Sequence, residues 1–143
     1  MTSPATAARR NHKREAIGRV RAGLGALRDG SASIVHVEAP HTGFYVQFAR
    51  GGSEVVGEAV GEANLPKLTV HHIGQSMRKV LPDLGWREPQ ADGSTSGNWS
   101  HTWLTDTFDE QDVAPMVVST FANAFGIYPW ALVVTASSDI DRR

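Results

Sequence analysis

Six histidines and 15 carboxylates are the residues of this chain with the chemistry for acid–base or metal work, and their spacing limits what they can do. His36-Val37-Glu38 has the His-x-Glu spacing that zinc deaminases combine with a Pro-Cys-x-x-Cys ligand set, but the chain has no cysteine to complete it. Residues two apart on a strand share a face, so His36 and Glu38, with His41 just beyond, form at most a weak metal group. The alternative is an ordinary half-exposed strand surface. His71 and His72 are adjacent; on a helix they point about 100° apart and cannot chelate one ion side by side. Glu54, Glu58 and Glu62 follow a hairpin strand, and Asp109, Glu110 and Asp112 stand where a helix begins, a place where negative charge is stabilising in itself. No Gly-x-Ser-x-Gly, Walker-type loop or His-Glu-x-x-His occurs, and Gly23-Leu24-Gly25 does not follow a strand as a dinucleotide loop would. The absence of cysteine excludes disulfides, thiolate zinc sites, iron–sulfur clusters and cysteine nucleophiles. The expectation is a protein that is not an enzyme, with no cofactor and no metal.

Aromatic placement is more suggestive. Trp99, His101 and Trp103 alternate along one strand and so share a face, with Trp86 nearby across a polar loop. Phe44 and Tyr45 open another strand. Such residues either pack under a helix as core or leave part of a face open to an apolar segment of a partner, since tryptophan combines a large area with a polar edge.

Charge is segregated along the chain. Net charge is −1, but residues 1–30 hold seven of the 14 basic residues against Glu15 and Asp29, a net of +5, and the remainder carries −6. Arg9, Arg10, Lys13 and Arg14 therefore define a basic arm. It can contact nucleic acid or an anionic surface, fold onto the acidic body of the protein, or stand solvated without a partner. No aromatic residue interleaves it for stacking on bases, so nucleic-acid binding is the alternative reading rather than the first.

These residues need elements to position them. A chain of 143 residues suits one domain, and 41% hydrophobic with 20% charged residues is the balance of a globular protein rather than a disordered one. Residues 1–11 read as a flexible basic tail. Ile17, Val20, Leu24 and Leu27 make a helical stripe over 12–28, interrupted by Gly18, Gly23 and Gly25; three glycines suggest close approach to a neighbour. Strands follow at 34–38, 44–50 and 54–60, joined by turns too short for anything but antiparallel pairing. Val70, Ile73, Met77, Val80 and Leu81 predict a second helix capped by Thr69. A short strand at 86–88, a polar loop at 90–97 and a longer strand at 98–105 come next. A third helix, starting near Thr107 or Asp112, carries Val113, Val117, Phe121 and Phe125 to a stop at Gly126, and 130–136 forms a last strand before a tail at 138–143. The fold class is α+β, an antiparallel sheet packed with helices in the order α-β-β-β-α-β-β-α-β, with a single domain over 12–137.

The run 44–66, FYVQFARGGSEVVGEAVGEANLP, resembles the TY-Chap domains of actinobacteria, relatives of YbjN and of the CesT/YopN type III secretion chaperones. Leu81-Pro82-Asp83-Leu84-Gly85-Trp86, Pro89 and Asn98-Trp99 resemble the family's Leu-Gly-Trp, Pro and Asn-Trp stretch, and the third helix ending at Phe125-Gly126 also fits. The resemblance covers about 24–136. It implies a type III secretion chaperone-like fold, a protein or peptide client, and a homodimer as in the secretion chaperones. His71-His72 and the basic arm depart from the family pattern. The expected function is a peptide-binding, chaperone- or adaptor-like domain whose client segment lies along the sheet face or a groove beside the first helix, adding a strand at an edge. Phe44, Tyr45, Trp86, Trp99 and Trp103 are the candidate contacts. With no apolar run of about 18 residues and no secretory leader, the expected location is the cytoplasm.

Overall fold

A computed structural model of the chain describes residues 3–90, 97–128 and 131–138. Helix α1 runs from Pro4 to Asp29, β1 covers Ile34–Glu38, β2 Tyr45–Gly51 and β3 Glu54–Ala59, with α2 at Lys67–Asp83, β4 at Trp99–Leu104, α3 at Glu110–Ser119 and β5 at Val133–Ser137. The sheet is antiparallel throughout, in the order β4-β3-β2-β1-β5. This is the expected α+β class, with one change of order. The strand expected at 86–88 is reduced to a single bridge between Arg87 and Ser100. The predicted loop over 91–96, Trp130 of the last strand and the tail from 139 lie outside the described residues.

Helix α1 starts at Pro4, so residues read from sequence as a basic tail form its first turns. Ser3 Oγ accepts from the Thr6 N–H, and Pro4 occupies the position where a missing N–H costs nothing. The far end of the helix is closed by Gly30 at φ 86°, whose N–H meets the Leu27 carbonyl. Arg50 donates to the carbonyls of Leu27 (2.9 Å) and Arg28 (2.6 Å), placing a cation where the helix dipole favours one. Asp29 accepts from the Ser31 N–H at 2.8 Å, and hydrogen bonding by the Ser31 side chain and then its backbone holds the Asp29 carboxyl below the ordinary value of 3.8. A depressed carboxyl contributes stability above its unfolded pKa and loses it as pH falls through the folded one. NMR titration is therefore expected to show Asp29 protonating below pH 3.8 and moving back toward that value in Ser31→Ala.

Helix α2 begins two residues before the expected Thr69 cap, because the Pro66 carbonyl already accepts from Val70. Helix α3 is capped by Asp109, whose carboxylate accepts from the Gln111 N–H at 2.9 Å, while Thr107 instead donates to the Leu104 carbonyl. Beyond Ser119 the helix widens into a π-helical segment, Thr120–Phe125, which ends at Gly126 with φ 70°.

Helices cover one face of the sheet. α1 packs against α3, and α2 against the π-helical segment. The core lies between helices and sheet and includes Val20, Leu24, Leu27, Val35, Phe48 and Phe121, each fully buried. The three glycines of α1 signal a close approach at one point: a Cβ on Gly23 would stand 2.9 Å from Val134 Cγ1 and 3.4 Å from Val35 Cγ1, so α1 seats directly on β5 and β1. Five residues further along α1, Arg28 grips Glu110 in an ion pair, Nε–Oε2 2.6 Å, with a hydrogen bond from Nη2 to Oε1 at 3.0 Å, and the Glu110 side chain is only 11% exposed. Arg28→Ala strands that carboxylate in the interior and is expected to cost about 1–3 kcal/mol in urea unfolding. Replacing both partners by leucine is expected to cost less than the sum of the two single changes; additive costs would show that the pair is not coupled.

Candidate functional site

The structure separates the five aromatic candidates. Trp86 and Trp99 are 3% exposed and Phe44 is 7% exposed, so all three are core. Phe44 stacks on Phe125 with ring centroids 4.8 Å apart, and Trp86 Nε1 donates to Thr120 Oγ1 at 2.9 Å. Trp103 is half-buried on the helix-covered face, among Phe108, Phe48 and His101 at 5.6, 5.9 and 4.3 Å. Tyr45 alone lies on the opposite, open face, where it stacks with His36 at 5.5 Å and its hydroxyl accepts from Asn98 Nδ2 at 3.0 Å. Of the two alternatives the sequence leaves, core or open face, Trp86 and Trp99 take the core. The alternation on β4 does place Trp99, His101 and Trp103 together, but on the side that α3 and Phe108 cover.

The open face follows from register. Ser137, Ile34, Ala49, Val56 and Thr102 form one row across the five strands, and Thr135, His36, Gln47, Glu58 and Ser100 the next. Its exposed apolar residues, Val56 (39%), Val133 (45%) and Leu104 (53%), are scattered among carboxylates of Glu38, Glu54 and Glu58. His36 Nε2 lies 3.6 Å from Glu38 Oε2. His41 does not complete the metal group weighed from sequence, and among the described residues no three His, Asp or Glu side chains are placed to hold an ion. His71 and His72 are exposed on α2.

Arg9, Arg10, Lys13 and Arg14 are exposed on the first half of α1, and no ion pair engages them among the described residues. Because α1 is one continuous helix lying behind the sheet, this arm cannot fold round onto the acidic open face of its own chain.

Between α1 and β5 runs a cleft of about 640 Å³, walled by Arg19, Ala22 and Ala26 on the helix and by Leu132, Val134 and Ala136 on the strand side. Sequence reading expects a groove beside the first helix but names none of its wall residues, because Arg19, Ala22 and Ala26 fall off the large apolar stripe of α1. The available signal was a second stripe of small residues, the adjacent Ala22 and Gly23 with Ala26 one turn later and Arg19 one turn before.

A five-stranded antiparallel sheet with helices on one face, an open second face and a cleft beside an edge strand defines an α+β domain with room for an extended chain. The family described as T3SS (YopN, CesT) and YbjN peptide-binding chaperone 3, TY-Chap3, matches residues 17–138. The chain belongs to this family, and a chaperone-like, peptide-binding character comes with it. No curated protein and no solved structure matches the chain at a significant level. No helix among the described residues is long and apolar enough to cross a membrane.

Proposed function

We propose that this protein is a non-enzymatic adaptor or chaperone that holds an extended segment of a partner protein. Membership of a peptide-binding chaperone family over residues 17–138 carries the reading. The structure supports it through its two sheet edges and the cleft beside α1, which offer backbone hydrogen-bonding groups and apolar wall to an extended chain. The large aromatic residues are mostly committed to the core, so affinity comes from main-chain pairing and small apolar contacts rather than from an aromatic hot spot. A cytoplasmic location suits such a role.

The test is crosslinking of the full chain in its host, followed by titration of overlapping 15-residue peptides from the crosslinked partner. Saturable binding confined to one or two segments, with the peptides recovered chemically unchanged, is the expected result. Cleavage or modification of the peptide, or binding only to the folded partner, would overturn the reading.

A further inference from the structure

We infer that the client segment seats on the outer edge of β5, above the cleft against α1, and that it is an acidic extended segment. This inference rests on the peptide-binding reading and gives it a place and a chemistry.

The backbone groups come first. Arg50 N–H bonds to the Ser33 carbonyl and Ala39 N–H to the Phe44 carbonyl, so odd-numbered residues of β1 direct their backbone toward β2 and even-numbered ones toward β5. Ile34, His36 and Glu38 pair with Ser137, Thr135 and Val133. Val134 and Ala136 therefore turn their N–H and C=O groups outward, to an edge that no other described strand occupies. An edge of this kind is normally protected by charge, proline or a bulge. Val133–Ser137 (VVTAS) has no charged residue and no proline, and its register with β1 runs without a bulge. The opposite edge is partly closed, since Arg87 already bridges Ser100 on β4.

Side-chain direction follows from the pleat. Val134 and Ala136 point to the helix side, so residues of an added strand paired with them send their side chains into the α1 cleft. Its helix wall is Ala22 and Ala26, which leaves space for branched side chains of the incoming segment. Arg19 stands at the same wall and has no ionic partner among the described residues. Lys13, Arg14, Arg9 and Arg10 follow within about 15 Å along the helix axis, spread around its other faces. A carboxylate in the added strand meets Arg19 at short range and the general positive field of the first half of α1 beyond it. On the other side of the sheet, Glu38, Glu54 and Glu58 repel the same segment, which confines it to the edge. Pairing of β5 with β5 of a second copy would instead bring two cationic helices together, and charge disfavours it.

The experiment selects random dodecapeptides displayed on phage against the full chain, then measures affinity of the selected peptides by fluorescence anisotropy. Peptides rich in Asp, Glu and β-branched residues are expected, with binding that weakens as salt rises. Ala136→Pro removes an outward N–H that the fold does not use, and Arg19→Glu reverses an exposed charge. Each is expected to weaken binding at least tenfold with the thermal midpoint kept, whereas Val56→Lys on the open face is expected to leave it unchanged. Binding that survives both edge variants, or is lost only in Val56→Lys, would overturn this site while leaving the peptide-binding function standing. Selection of no peptide would overturn both. A doubled mass of the chain alone in light scattering, abolished by Ala136→Pro, would assign the edge to a second copy instead.

Discussion

Trp86→Ala is expected to destabilise the protein by about 3–5 kcal/mol, the largest effect of any single truncation considered for this fold. The indole is delivered to the core by the end of α2. Gly85, at φ 105°, takes the left-handed position past the last turn, and the Trp86 N–H reaches back to the Leu81 carbonyl at 3.0 Å. That reversal sends the side chain inward, where Nε1 meets Thr120 Oγ1, and Thr120 in turn donates to the Met116 carbonyl at 2.8 Å. Thr120 is also the first residue of the π-helical segment. Truncation therefore opens a cavity at the junction of α2 and α3 and leaves Thr120 without its donor. Trp86→Phe keeps most of the volume and loses only the N–H bond, for which about 1 kcal/mol is expected. Urea unfolding of both variants checks the order; equal costs would mean that the hydrogen bond, and not the packing, dominates.

The same residue shows what a sequence does and does not disclose. Leu-Gly-Trp is legible as a family motif and as a helix stop, because glycine after an apolar stripe has a local physical meaning. Whether its tryptophan binds a partner or fills the core is not local. It depends on Thr120, 34 residues away, standing opposite the indole. On β4, likewise, period-two alternation assigns Trp99, His101 and Trp103 to one face, but only the position of α3 and Phe108 decides that this is the covered one. The hairpins β1–β2 and β2–β3 were fully legible, since short turns leave one pairing. The place of β5 was not: nothing in VVTAS says that it lies beside β1 rather than β4, and the cleft against α1 exists only because of that choice. Gly23 is the partial exception. Its presence in a helix signalled a close neighbour, and the neighbour proved to be Val134 of β5. The start of α1 was missed for the opposite reason. A run of alanine and basic residues has good intrinsic helix propensity but no apolar stripe, and periodicity detects only helices that bury a face.

Asn98→Leu is expected to cost about 2–4 kcal/mol although it keeps side-chain volume and adds apolar surface. Asn98 is 4% exposed and joins three parts of the chain. Its Oδ1 accepts from the Gly61 N–H at 2.9 Å and from Asn64 Nδ2 at 2.8 Å, and its Nδ2 donates to the Tyr45 hydroxyl at 3.0 Å. Gly61 is equally constrained, for a Cβ there would collide with the Gly97 carbonyl oxygen. This clamp ties the turn after β3 to the entry of β4 and to the open face through Tyr45, so the Asn-Trp motif serves the frame of the domain rather than direct contact with a client. Leucine leaves the buried Gly61 N–H without its acceptor, and that orphaned donor accounts for most of the cost. Asn98→Asp is expected to be milder at neutral pH, because its oxygens still serve Gly61 and Asn64 while the Tyr45 hydroxyl turns to donate. Amide hydrogen exchange provides the specific readout. In Asn98→Leu the Gly61 amide is expected to lose protection first, ahead of the β1–β2 hairpin, whereas uniform loss across the sheet would mean that Asn98 acts only through global stability. Client affinity at the β5 edge is expected to stay unchanged in the folded fraction of Asn98→Leu. The clamp reaches no further than Tyr45 at the start of β2, with β1 between it and β5.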